Sequence, residues 1–174
     1  MQKQALKNKL IENHQLFIEY IHSISNEKFE QSNNDKWTPG QQLEHILLSV
    51  KPVRQILTAP KFILSLVWGK ANRESKTYEE LIAKYNNKLQ QGGRATARFV
   101  PKPVRLDQKT TIAVSLINEI KWLNQKLDKF TEVELDRFIL PHPLLGKLTI
   151  REMMYFTIYH VLHHKKMTER DLME

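Results

Sequence analysis

A chain of 174 residues is long enough to bury a sizeable core, and 41% hydrophobic with 26% charged residues is an ordinary globular composition. The absence of cysteine excludes disulfide staples, thiolate nucleophiles and cysteine-type structural zinc, so a metal site would have to draw on His, Asp or Glu. A net charge of +8 favours anionic partners, but the basic residues fall into separate clusters without a legible recognition module, which ranks nucleic acid last among the partners. Met1-Gln2-Lys3-Gln4 leads into an amphipathic pattern and not into the apolar stretch of a signal peptide. The most apolar run, Phe62 to Trp68, is far shorter than the roughly 20 residues that cross a bilayer. The expectation is a cytoplasmic protein with no membrane association.

Residues 2–25 carry Leu6, Leu10, Phe17, Ile21 and Ile24 at helical spacing, with Ile11, Leu16 and Ile18 widening the apolar face, and predict a first long helix. Residues 26–36 are polar and aperiodic and read as a connection. Trp37-Thr38-Pro39-Gly40 opens a second helix over 39–57. Thr38 can cap it, and Pro39 sits at the first helical position, where its missing N–H costs nothing. Pro52 either kinks this helix or ends its regular part. Residues 58–76 hold the short apolar run, which fits a helical turn or a loop packed over one end of the core. A short charged helix over 78–91 is stopped by Gly92-Gly93.

Residues 94–107 contain Pro101 and Pro103 and read as an extended loop over one end of the helices. That loop is expected to help close a pocket and to offer Arg94, Arg98 and Arg105 to an anionic substrate. Ile112, Leu116, Ile120, Leu123 and Leu127 predict a third long helix over 107–130. Residues 131–147, with Pro141-His142-Pro143 and Gly146, form a second long connection. Thr149 and Glu152 make a capping box that opens the last long helix, 149–172. Strand-like alternation and internal repeats are missing. The expected fold class is all-α: one domain over 1–174, a four-helix bundle with long connections and one short extra helix.

Seven histidines punctuate this pattern. His160 and His164 are one helical turn apart and project from one face, so both imidazoles can reach one ion. They lie off the face formed by Ile150, Met154, Ile158 and Val161, and Met153, Phe156 and Met167 flank them. Such a setting favours neutral, ligating imidazoles. His163, three residues after His160, is the alternative partner, and ranks below His164 because the apolar neighbours centre on the His160–His164 line. His45 is the best third ligand, although helical phase alone reads it as an exposed residue beside Glu44. Glu44 itself points about 100° away from His45 and is a surface residue or an indirect partner. His142 either lines a pocket mouth or fixes its turn, and His14 and His22 read as ordinary residues of the first helix.

Three stretches together resemble a known family. Trp37-Thr38-Pro39-Gly40-Gln41-Gln42-Leu43-Glu44-His45-Ile46 is similar to the W-[ST]-x(4)-LxHI stretch of the DinB/YfiT-like metalloenzymes. His142-Pro143-Leu144-Leu145-Gly146-Lys147-Leu148-Thr149 resembles their HPxxGxLT approach to the last helix, and His160-Val161-Leu162-His163-His164 resembles their HxxHH end. The chain departs from the family in having Lys165-Lys166-Met167 where many relatives carry an R-G-Q-[IL] run, and in residues 58–108. The resemblance implies an up-down-down-up bundle and a divalent ion, zinc or nickel, held by His45, His160 and His164 with water in the remaining positions. It implies an enzyme that is a metal-dependent hydrolase or a transferase using a small thiol. Its expected partners are a small-molecule substrate, anionic or a thiol, and a second copy of the chain in a homodimer. The alternative is a helical bundle that holds a metal or a ligand without turnover.

Overall fold

The computed structural model describes residues 1–33 and 36–173. In chain order the elements are α1 (Lys3–Ser23), α2 (Asn26–Phe29), α3 (Pro39–Ile56), α4 (Lys61–Trp68), α5 (Tyr78–Gln90), α6 (Lys109–Leu127), α7 (Glu132–Arg137), β1 (Ile139–His142), β2 (Gly146–Thr149) and α8 (Ile150–Asp171). Single 3-10 turns stand at Ala97–Phe99 and Leu106–Gln108. The protein is thus mostly helical, with one small antiparallel hairpin.

The four long helices share one core. Helices α1 and α3 each pack against both α6 and α8. Leu10, Phe17 and Ile21 of α1, Leu43 and Ile46 of α3, Leu116 and Leu123 of α6, and Met154 and Val161 of α8 are buried in it. Full burial of such side chains stabilises by about 1.5–3 kcal/mol each, which is what fixes the faces of these amphipathic helices. Polar ties set their register: Asn13 Nδ2 donates to the Ile158 carbonyl (3.0 Å), and Arg54 makes a two-pronged ion pair with buried Glu119 (2.7 and 2.8 Å).

The helix starts are local. Thr38 Oγ1 accepts from Gln41 N while Gln41 Oε1 accepts from Thr38 N, and Pro39 follows as the first helical residue. Thr149 and Glu152 form the same reciprocal box at α8, as do Thr77 and Glu80 at α5. Such caps are worth about 1 kcal/mol each. Helix α3 continues through Pro52 to Ile56. Gly40 is required by close approach, because a Cβ there would meet the Phe29 ring and Val104 Cβ at 3.0 Å.

Three connections carry more structure than their sequences suggest. Residues 26–36 include α2, whose Phe29 is fully buried; Asn34 and Asp35 lie outside the described residues. The run Phe62 to Trp68 lies in a two-turn helix, α4, anchored by buried Leu64, with Phe62, Leu66 and Val67 exposed. Residues 131–147 are not a plain connection but α7 followed by the β1–β2 hairpin, paired from Ile139↔Thr149 to His142↔Gly146. Four-residue strands with two buried residues in succession show no alternation, so a period-2 search passes over them. The expectation of one short extra helix is therefore corrected: α2, α4, α5 and α7 all join the four long ones. The third long helix begins at Lys109 and ends at Leu127, inside the expected 107–130.

Candidate metal centre

Helix α3 brings His45, and α8 brings His160 and His164, to one buried point; one ligating nitrogen from each lies within 4.8 Å of the others. His160 Nε2 is 3.0 Å from His164 Nε2 and 3.3 Å from His45 Nε2. All three residues are buried, so the reading of His45 as an exposed surface residue is wrong. Helical phase placed it off the main stripe correctly. The flank it occupies is covered by Trp37 and by the 94–107 segment instead of by water.

The other ring nitrogens explain why the Nε2 atoms converge. His45 Nδ1 lies 2.7 Å from the Phe99 carbonyl oxygen, and His164 Nδ1 lies 2.5 Å from Gln42 Oε1. Those oxygens only accept, so Nδ1 carries the hydrogen in each neutral ring and Nε2 presents a bare lone pair. Aromatic rings hold the planes. The Phe156 ring stacks on His160 at 4.6 Å between centroids, and Trp37 packs against His45 at 4.9 Å and stacks parallel to His164 at 6.2 Å.

Burial holds His160 and His164 well below the usual histidine range, and the neighbouring imidazoles push the same way. His45 is lowered by burial against an opposing contribution from the Phe99 carbonyl. All three are therefore in the neutral, ligating form at neutral pH. The donor set fits a divalent transition metal. With metal–nitrogen bonds of about 2.05 Å, two imidazole nitrogens on one ion stand about 3.3 Å apart at a tetrahedral angle and about 2.9 Å at a right angle. The separations of 3.0 and 3.3 Å fall in that interval. Three neutral nitrogens suit zinc, nickel, copper or iron and are poor for magnesium or calcium.

The cluster lies on the wall of a cavity of about 700 Å³. Pro52, Val53 and Ile56 of α3, Leu89 of α5, and Leu144 and Met153 give it a mainly apolar lining. Met153, Phe156 and Met167, the apolar flank noticed in the sequence, all face this space. His163 lines it too but stands outside the three-nitrogen group, its ring 5.4 Å from that of His164 and edge-on to Tyr85. His142 does both things considered for it. It lines the cavity, and its Nδ1 accepts from Leu144 N and Leu145 N (3.1 and 3.0 Å), fixing the hairpin turn.

The 94–107 loop does cover the cavity, through Arg94, Ala95, Thr96, Phe99 and Val100. Only Arg94 of its three expected arginines lines the space; Arg105 pairs with Asp107 and Arg98 lies over the Phe99 ring. Glu44 is half-buried and does not line it, consistent with an indirect role at most. Among the described lining residues the one carboxylate is Asp171, which pairs with Lys36 and Arg170. Sequence reasoning missed Gln42, Phe99 and Tyr85. Gln42 was detectable, since it precedes His45 by three residues on the same helix. A backbone carbonyl such as that of Phe99 leaves no sequence signal at all.

A mostly helical chain with a buried three-imidazole cluster beside an apolar cavity belongs to the class of helical proteins that could hold a divalent metal. The profile of the DinB superfamily matches residues 9–167, and the chain belongs to that superfamily. No curated protein and no solved structure matches it. Among the described residues no helix is long and apolar enough to cross a membrane.

Proposed function

We propose that this protein is a metal-dependent enzyme in which His45, His160 and His164 hold one divalent ion, zinc or nickel, and that it acts on a small organic molecule as a hydrolase or as a small-thiol transferase. The observation that carries this reading is the convergence of three imidazole nitrogens whose ring hydrogens, on His45 and His164, are drawn off to Phe99 and Gln42. An ion held there supplies Lewis acidity, polarising a carbonyl or acidifying the O–H or S–H of a nucleophile.

The remaining roles belong to the chain. Neutral ligands leave the charge of the centre uncompensated, and the apolar wall excludes water and raises its electrostatic effect. Because His142 Nδ1 accepts two backbone N–H groups, its hydrogen resides on Nε2, and this donor together with the Tyr85 hydroxyl can orient a substrate oxygen. With Asp171, the one carboxylate among the described lining residues, paired to Lys36 and Arg170, His163 is the residue to take up a proton. Arg94 at the edge supports a substrate with an anionic substituent. The same reading treats 1–174 as one domain whose long helices run up-down-down-up, which the packing of α1 and α3 against both α6 and α8 supports. It also keeps the cytoplasm, where small thiols abound, as the location.

The test is metal content per chain for His45→Ala, His160→Ala, His164→Ala and His163→Ala after identical dialysis. The first three are expected to lose the ion and the fourth to keep it; full retention in His45→Ala would overturn the ligand set. Turnover of an aryl ester, or of a small thiol with an electrophile, that depends on added metal separates the enzyme from its alternative, a metal-holding protein without turnover. That alternative is favoured by the lack of a free carboxylate among the described lining residues.

A further inference from the structure

The apolar run Phe62 to Trp68 has no part in the metal centre, and none of its residues lines the cavity there. Of the 8 residues of α4 only Lys61 and Ser65 are polar, and a helix apolar all round is ordinarily covered all round. Here the inner side is covered and the outer side is not. Leu64 is fully buried and Ile63, Ser65 and Trp68 are half-buried, while Phe62, Leu66 and Val67 are 69%, 78% and 59% exposed. Phe62 and Leu66 stand one turn apart with Val67 next to them, so the three form one outward ridge. Val133 at the start of α7, next to the Glu134 that holds Lys61, is exposed as well.

Cations surround this ridge. Lys70 follows α4 and bridges to Phe138, and the Lys147 ammonium donates to the Trp68 carbonyl (3.4 Å). The Arg137 carbonyl accepts from Ala71 N (2.8 Å), and Lys129 adjoins Phe130, whose ring lies under the Lys61 ammonium. Lys70, Lys129, Arg137 and Lys147 are all exposed and form no ion pair among the described residues. The acids of the same segments are mostly taken: Glu134 by Lys61, and Glu132 and Asp136 by Arg151, with Glu74 left over.

We propose that the α4 ridge docks this protein on an anionic lipid surface, with Phe62, Leu66 and Val67 entering the acyl boundary and the surrounding cations meeting lipid phosphates. An apolar ridge inside a basic rim matches the two layers of such a surface, and each cation near it strengthens the contact. A second copy is a poor occupant. A two-fold contact sets the same patch against itself, so the four cations of one copy would face those of the other. The ridge is also small: its three side chains leave on the order of 350 Å² of apolar surface open, against about 800 Å² covered per copy in an ordinary dimer. With 8 residues α4 is far too short to span a bilayer, so the contact is with the surface alone. It goes beyond the expectation of no membrane association, which rested on the lack of a spanning segment, and it does not depend on the metal.

The experiment sediments the full chain with vesicles of phosphatidylcholine, alone or mixed with phosphatidylglycerol, at low and high salt. Partition onto the mixed vesicles is expected to be at least about tenfold stronger and to weaken with salt. Phe62→Ser with Leu66→Ser should lower it about tenfold or more, and Lys70→Gln with Lys129→Gln by roughly as much. All four positions are exposed, so metal per chain and melting temperature should stay unchanged and report the fold. Because the chain has no cysteine, Leu66→Cys carries an environment-sensitive dye at one place, with Leu16→Cys on α1, 45% exposed in the native chain, as the control. On mixed vesicles the dye at position 66 should shift to the blue and the dye at position 16 should not. Equal partition onto both kinds of vesicle, unchanged partition of the Phe62 and Leu66 double variant, or equal shifts of the two dyes would overturn the proposal. So would a dimer in sedimentation velocity that Leu66→Ser dissolves, which would make the ridge an interface between copies.

Discussion

The two ends of α8 bury polar groups in opposite ways. At its start the fully buried Glu152 carboxylate receives two bonds from Arg73 (2.6 and 2.8 Å) and one each from the backbone N–H groups of Lys76 and Thr149 (2.8 and 2.9 Å). Nearby Arg151 is held by Asp136 and Glu132. Every oxygen of Glu152 is answered from within the chain, and the result ties α8 to the segment before α5. Eight and twelve residues later, His160 and His164 are also buried but turn their Nε2 atoms toward each other and toward His45, with fewer donors than acceptors. A buried network that is complete specifies structure, whereas one that the protein leaves incomplete points to something bound.

The sharpest way to break this contrast is at the complete end. Arg73→Ala leaves the fully buried Glu152 carboxylate with only the more distant Lys76 ammonium (4.0 Å) as a counter-charge. Removal of one partner from a buried pair costs about 3–5 kcal/mol, the lower end applying here because Arg73 is partly exposed. Urea denaturation should show a loss of that order, while metal per folded chain stays unchanged. A smaller loss would mean that the two backbone donors and the Lys76 ammonium suffice for Glu152.

Next in size is a pH effect that separates buried imidazole from buried carboxylate. His14 is a buried neutral imidazole outside the three-histidine cluster, at about 4 when folded against 6.5 for the ordinary side chain. Below 6.5 the unfolded chain takes up the proton first, so the contribution is fully present above 6.5 and declines as pH falls toward 4. The decline is about 1.4 kcal/mol per unit, about 3 kcal/mol in all. Glu152 has the reverse history, its carboxyl lowered by the Arg73 and backbone bonds against the opposing effect of burial. Its contribution is present above the ordinary value of 4.5 and is lost only as pH falls through the lower folded one. Stability measured between pH 7 and 4.5 should therefore decline more gently in His14→Phe, by about one proton of slope. An unchanged slope would show that His14 is not buried in solution.

The smallest expected effect sharpens the incomplete end. Gln42→Leu keeps the volume near His164 but removes the acceptor that holds its Nδ1 hydrogen. Loss of such an orienting partner costs about 10–100-fold in metal affinity. Competition with a chelator should show a weakening in that range, with all three histidines still in place; no change would mean that Trp37 and the helix alone orient the ring.

The long helices, their caps and the His160–His164 pair were legible in the sequence because each depends on residues within a turn or two of one another. Thr38-Pro39, Thr149 with Glu152, and the apolar steps of α1, α3, α6 and α8 all have that range. The place of His45 in the cluster was legible only through family resemblance, since its burial is imposed by Trp37 and by Phe99, the latter more than fifty residues away. The β1–β2 hairpin, α2 and α7 escaped, and α4 stayed undecided between a helical turn and a packed loop, because short elements carry too few residues for a period to emerge. The sequence by itself determined where the long helices begin and which two imidazoles share a face. The tertiary structure alone decided that a third would meet them and that Glu152 would find Arg73. Those encounters depend on packing between segments distant in the chain, and no local pattern encodes them.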